Sequence, residues 1–133
     1  MDKGSYVLLI KVDKRLEVKT MARSFEIFPG YYCYIGSAMG TLSGRIGRHL
    51  KGAKKRFWHI DFLLTEARIV LAILVPSSIK TEERISRLFA KFGEAVEHFG
   101  ASDCDTSSNL YQIKKENFFK ALESVFEHMG VFK

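Results

Sequence analysis

The chain of 133 residues carries 21 Lys and Arg against 15 Asp and Glu, a formal charge of +6, with 47% hydrophobic and 27% charged residues. That length and composition suit one water-soluble core, so a single domain over residues 1–133 is expected. No apolar run reaches the span of a bilayer, the longest being Ile69 to Val75. The two cysteines, Cys33 and Cys104, are far apart and outside any Cys-x-x-Cys pair, which argues against a disulfide framework or a zinc knuckle. Met1-Asp2-Lys3-Gly4 opens without a charged leader before an apolar stretch, so a cytoplasmic chain is expected.

Tyr6 to Val12 is apolar on both alternating faces and reads as a strand that stops at Asp13-Lys14-Arg15. Leu16, Val18 and Thr20 continue the alternation, so the polar break is expected to turn a hairpin back on the first strand. Phe25 to Phe28 reads as another strand, Pro29-Gly30 as a turn, and Tyr31 to Ile35 as the next strand. The spacing then changes to Leu42, Ile46 and Leu50, which predicts a helix with one buried stripe, capped by Thr41 or Ser43. Phe57 to Leu64 is ambiguous, with helix favoured. Ala67 to Val75 reads as a central strand ending at Pro76. Thr81 is placed to cap a helix that buries Ile85, Leu88, Phe89 and Phe92 before Gly93. A loop over Ala101 to Ser108, a short strand over Leu110 to Ile113 and a closing helix over about residues 116–130 complete the reading. That helix has Phe118, Phe119, Leu122, Val125, Phe126 and Met129 on one side.

Two stretches suggest chemistry. Gly30-Tyr31-Tyr32-Cys33-Tyr34-Ile35-Gly36-Ser37 brings tyrosines to a strand end, and a polar turn leads from it to a helix bearing Arg45, Arg48 and His49. Phenols beside a helix start, with fixed cations one turn on, suit phosphate groups. Arg48, Lys51, Lys54, Lys55 and Arg56 then follow without an intervening acid. They form either a nucleic-acid contact or a solvated face.

Gly4-Ser5-Tyr6, Tyr34-Ile35-Gly36 and Leu42-x-x-Arg45-x-x-x-His49 occur in order on the expected strand, strand and helix. On these residues the chain resembles the GIY-YIG nuclease superfamily. Within it, the chain is most similar to a domain family of unknown function from archaea and bacteria, sometimes joined to endonuclease III-type repair enzymes. The carriers are Gly30-x-Tyr32-x-Tyr34-Ile35-Gly36-Ser37-Ala38, Arg48-His49, Trp58-His59-Ile60-Asp61 and Phe99-Gly100-Ala101-Ser102-Asp103-Cys104. There are two departures. The segment from Val12 to Phe28 lengthens the usual connection between the first motifs. Ser108-Asn109-Leu110 replaces an expected Ser-His-Leu, so Asn109 is left to bond a phosphate without a histidine's proton chemistry.

The resemblance implies an α/β chain of the α+β kind, with a small mixed or antiparallel central sheet flanked by helices. It implies metal-dependent endonuclease activity with Mg²⁺ or Mn²⁺, on DNA ahead of RNA, with a repair-protein partner a further option. Tyr6 and Tyr34 would place or deprotonate the attacking water, and Tyr32, on the same strand face as Tyr34, is a further candidate. Arg45 would offset phosphoryl charge beside His49, and Glu82 would hold the metal. The residues leave other uses open. Arg45 can cover the sheet with its stem, Glu82 can favour its helix N-terminus, and the tyrosines can be core aromatics. His59 and Asp61 form a second polar pair or a local hydrogen bond. Ser102 and Asp103 line the groove or form a turn. The rival function is a non-catalytic nucleic-acid-binding module.

Overall fold

Strands with apolar side chains on both faces need cover on both sides, and helices supply it here. The computed structural model describes residues 2–19, 24–51, 59–97, 99 and 109–129, with His59 as backbone only. Within these the chain forms β1 (Gly4–Val12), β2 (Leu16–Lys19), β3 (Ser24–Ile27), β4 (Gly30–Ala38), α1 (Leu42–Lys51), α2 (His59–Leu63), β5 (Arg68–Pro76), α3 (Glu82–Ala90), β6 (Glu94–Ala95), β7 (Leu110–Gln112) and α4 (Lys115–His128). Five strands form one antiparallel sheet in the order β5-β1-β4-β7-β6, and β2 pairs with β3 in a separate two-stranded sheet. The fold is α+β, and the sheet is antiparallel throughout.

The two-residue period of β1 divides the core. Tyr6, Leu8 and Ile10 join Tyr32 and Tyr34 of β4 on one face, covered by Leu42 and Ile46 of α1, Ile60 and Leu63 of α2 and the β2–β3 hairpin. Val7 and Leu9 join Cys33 and Ile35 on the other, against Ile85, Leu88 and Phe89 of α3 and Phe118, Leu122 and Val125 of α4. No helix among the described residues is long and apolar enough to cross a membrane.

Four expectations about the elements are corrected. The apolar run of β5 lies at the sheet edge, not its centre, because among the described residues only β1 pairs with it; Val70 and Leu74 are exposed. Strand β2 turns onto β3 instead of back on β1, whose two sides are already taken by β4 and β5. Leu50 is 61% exposed and His49 takes its place in the buried stripe with Leu42 and Ile46. Helical geometry accounts for this: at 3.6 residues per turn Leu50 drifts about 80° from Leu42, whereas a residue at 49 returns to within about 20°. Phe119 leaves the buried side of α4 and meets Phe118 edge-on at its rim.

Capping also differs from the sequence expectation. The Asp2 carboxylate accepts the Ser43 backbone N–H at 2.8 Å and the Ser43 hydroxyl at 2.6 Å, so a distant acid caps α1. Those bonds lower the Asp2 pKa. At α3, Thr81 makes no side-chain cap bond; its Oγ1 pairs with Ser5 Oγ at 2.7 Å, tying the helix start to the first turn of β1.

Candidate active site

The site forms where β1 begins and β4 ends. Antiparallel register sets Tyr6 directly opposite Gly36, and the ring lies so close over that glycine that a Cβ there would come within 2.1 Å of Tyr6 Cζ. Only a residue without a side chain fits beneath the phenol. Gly4 has a similar constraint, with φ at +146° and a Cβ position 2.2 Å from the Val75 carbonyl oxygen. The glycines of both motifs are thus required by close approach.

Around Tyr6 the predicted residues converge. Its hydroxyl lies 2.8 Å from His49 Nε2 and within electrostatic reach of the Arg45 guanidinium, which donates from Nη1 to the Ser37 carbonyl at 2.9 Å. The Tyr34 ring centroid is 6.4 Å from that of Tyr6. Strand β7 pairs with β4 only over Tyr32 to Tyr34, and just beyond it Asn109 accepts the Ile35 N–H at 3.0 Å through its backbone carbonyl. The Asn109 side-chain Nδ2 donates to Glu82 Oε1 at 3.3 Å. The Glu82 carboxylate acts electrostatically on both Tyr6 and Tyr34, as does Arg45. Tyr6, Tyr34, Arg45, His49, Glu82 and Asn109 are therefore one cluster.

Depth divides their roles. Tyr6 is 1% exposed and His49 5%, Tyr34 is buried, and Arg45 and Glu82 are half-buried at the rim. Burial pushes the Tyr6 pKa up to about 12 despite Arg45, with Glu82 and Asp61 adding to the rise. Burial likewise raises Tyr34. For both phenols desolvation outweighs the single Arg45 cation. The same burial lowers His49 to about 4, against the pull of Asp61, so its imidazole is neutral at neutral pH.

Asp61 pairs with a residue the sequence did not suggest. Its two oxygens receive both prongs of the Arg48 guanidinium at 2.7 and 2.9 Å, and Oδ1 lies 3.9 Å from His49 Nδ1. Arg48 is thereby an internal partner of the cluster, and Asp61 belongs with His49 on α1. The side chain of His59 lies outside the described residues, as do Lys54, Lys55, Arg56, Ser102 and Asp103. Lys51 is exposed at the end of α1. Tyr32 does not join: two residues along β4, its hydroxyl donates to the Phe28 carbonyl at 2.8 Å and accepts the Phe28 N–H at 3.1 Å. Tyr32→Phe is expected to lower stability by about 1 kcal/mol in urea denaturation and to leave the properties of the Tyr6 cluster unchanged.

Among the described residues no three His, Cys, Asp or Glu side chains gather as a ready metal cage. Glu82 presents a half-buried carboxylate at the rim, the kind of single side-chain oxygen donor with which a Mg²⁺ or Mn²⁺ ion could be held. No curated protein and no solved structure matches the chain. A family model described as Domain of unknown function DUF123 matches residues 5–131, and by that match, which spans nearly all of the sequence and every member of the Tyr6 cluster, the chain belongs to the DUF123 family.

Proposed function

We propose that the protein is a metal-dependent endonuclease of the GIY-YIG kind, hydrolysing nucleic-acid phosphodiesters, with DNA ahead of RNA, in a cytoplasmic setting. One observation carries this reading: the Tyr6 hydroxyl is hydrogen-bonded to a neutral imidazole, with a guanidinium and a carboxylate in electrostatic range. A phosphate at the rim would meet Arg45, whose charge offsets the negative charge that builds on phosphoryl oxygens during in-line attack. The attacking water would lose its proton to the Tyr6 oxygen as the Tyr6 proton passes to His49 Nε2. This answers the weakness of an isolated phenol as a base. Tyr34 would help position that water. Bound at Glu82, Mg²⁺ or Mn²⁺ would supply Lewis-acid stabilisation of the phosphoryl group. Lys51 and the basic residues that follow it would hold substrate backbone without reading sequence.

A second reading is favoured by the depth of Tyr6, which is 1% exposed: a binding module, or a docking domain for a repair protein, that retains the cluster as scaffold. Incubation with branched, nicked and single-stranded DNA and RNA, with Mg²⁺, Mn²⁺ or EDTA, separates the two. Cleavage is expected to need the metal, to be lost in Glu82→Ala and to fall about 10²-fold in Arg45→Ala. Cleavage indifferent to EDTA, or intact in both variants, rejects the assignment. Salt-sensitive binding without cutting supports the binding module.

A further inference from the structure

Buried polar groups in proteins are almost always paired, and His49 Nδ1 is an exception: it is buried with no hydrogen-bond partner. The polar atom it faces is Asp61 Oδ1 at 3.9 Å, beyond hydrogen-bond range but close enough for a charge to act on a dipole. The Asp61 side chain is itself 1% exposed. The Arg48 fork donates one hydrogen bond to each carboxylate oxygen, at 2.7 and 2.9 Å, which fixes the plane of the group. Arg48 and His49 are adjacent on α1, so the element that carries the imidazole also carries the clamp on its neighbouring anion.

Counting donors assigns the imidazole proton. The side-chain hydrogen bond of the buried Tyr6 hydroxyl is the 2.8 Å contact to His49 Nε2. Donating along it gives the hydroxyl hydrogen an acceptor and leaves Nε2 with its lone pair. A neutral imidazole with a bare Nε2 has its hydrogen on Nδ1, the nitrogen turned toward the carboxylate. Next to an anion an N–H is favoured over a lone pair, so Asp61 stabilises that tautomer over its alternative.

We propose that Asp61, clamped by Arg48, is a positioning residue that fixes His49 in the Nδ1–H tautomer and so leaves Nε2 to receive the Tyr6 hydroxyl proton. When the Tyr6 O–H bond breaks and the N–H bond forms on Nε2, the positive charge that appears on the ring faces Asp61 through Nδ1–H. The same carboxylate therefore serves the ring before and after transfer. The tautomer assignment stands on geometry alone; its kinetic consequence rests on the endonuclease reading.

Imidazole ¹⁵N spectra of the full chain near neutral pH test it, with the His49 signals assigned by their loss in His49→Gln. The expected wild-type pattern is a protonated Nδ1 and an unprotonated Nε2. In Asp61→Asn the ring is expected to shift to a predominantly Nε2–H form, whereas Arg48→Lys, which keeps the carboxylate, retains Nδ1–H. A purely structural role for the ion pair would change the stability of both variants and leave the tautomer alone. In cleavage assays Asp61→Asn is expected to lower kcat about 10²-fold with KM unchanged. A wild-type Nε2–H ring, or a tautomer indifferent to Asp61→Asn, overturns the proposal. The wild-type spectrum decides even if Asp61→Asn fails to fold. Expected spectra from a protein that cuts no nucleic acid would reject the endonuclease reading and leave the tautomer assignment standing.

Discussion

Gly36→Ala is expected to lower cleavage by about 10²–10³-fold and stability by about 1–3 kcal/mol. The added methyl would lie 2.1 Å from Tyr6 Cζ and 2.2 Å from its hydroxyl oxygen. One of the two must move. Cross-strand register pins the backbone of Gly36, which sits opposite Tyr6 with paired residues on both sides in a ladder running from Gly4↔Ala38 to Val12↔Gly30. The ring is therefore what moves, and it is 1% exposed with no open side. Displacing its hydroxyl breaks the 2.8 Å contact to His49 Nε2 and moves the oxygen relative to the Arg45 charge. Tyr6→Phe is the informative comparison, since it deletes the hydroxyl without overpacking. The two variants should lose similar rate, and Gly36→Ala should lose more stability in urea. Nucleic-acid affinity should survive in both, because neither touches a lysine. Cleavage at the wild-type rate in Gly36→Ala would mean that the Tyr6 hydroxyl has no part in the reaction.

The residues that were legible in the sequence are those whose placement is a matter of local periodicity. Tyr34 and Ile35 lie in a strand because tyrosine and isoleucine favour an extended chain, and the strand runs past Gly36, where the sequence reading stops it, to Ala38. Arg45 and His49 reach one site because four residues make about one helical turn. The features missed are choices of partner, which no local pattern states. Ala67 to Val75 has the same apolar run whether at a sheet's centre or its edge, and only the pairing of β1 with β4 places it outside. Asp61 meets Arg48 and His49 of α1, a partnership that its own sequence neighbours do not state. Leu50 reads as buried by hydrophobicity, although helical phase puts His49 in the buried stripe instead. A polar residue on a buried stripe is the signal that was available. Read that way, His49 would have called for a buried partner such as Tyr6 from the sequence alone.

Acidification is expected to remove about 2 kcal/mol of His49-dependent stability between about pH 8 and pH 5, approaching about 3 kcal/mol near pH 4. The folded ring titrates at about 4, against 6.5 for an unhindered histidine, because burial disfavours the imidazolium and Arg45 and Arg48 repel it; the attraction of Asp61 is smaller than the desolvation. Between those two values the unfolded chain binds a proton that the folded chain does not, so the unfolded state gains as pH falls. The contribution is complete above about pH 6.5 and is lost as the pH approaches 4. Carboxylates elsewhere also titrate toward the acid end of this range, so the measurement is a difference. Urea denaturation of wild type and His49→Gln is followed across the range, and the gap between the two curves should narrow or invert by about the stated amount on acidification. A gap that stays constant would mean that His49 is solvated in the folded state. The neutral ring that accepts the Tyr6 proton would then lose its physical basis, since a solvated imidazole beside Asp61 would be held partly protonated at the pH where cleavage is measured.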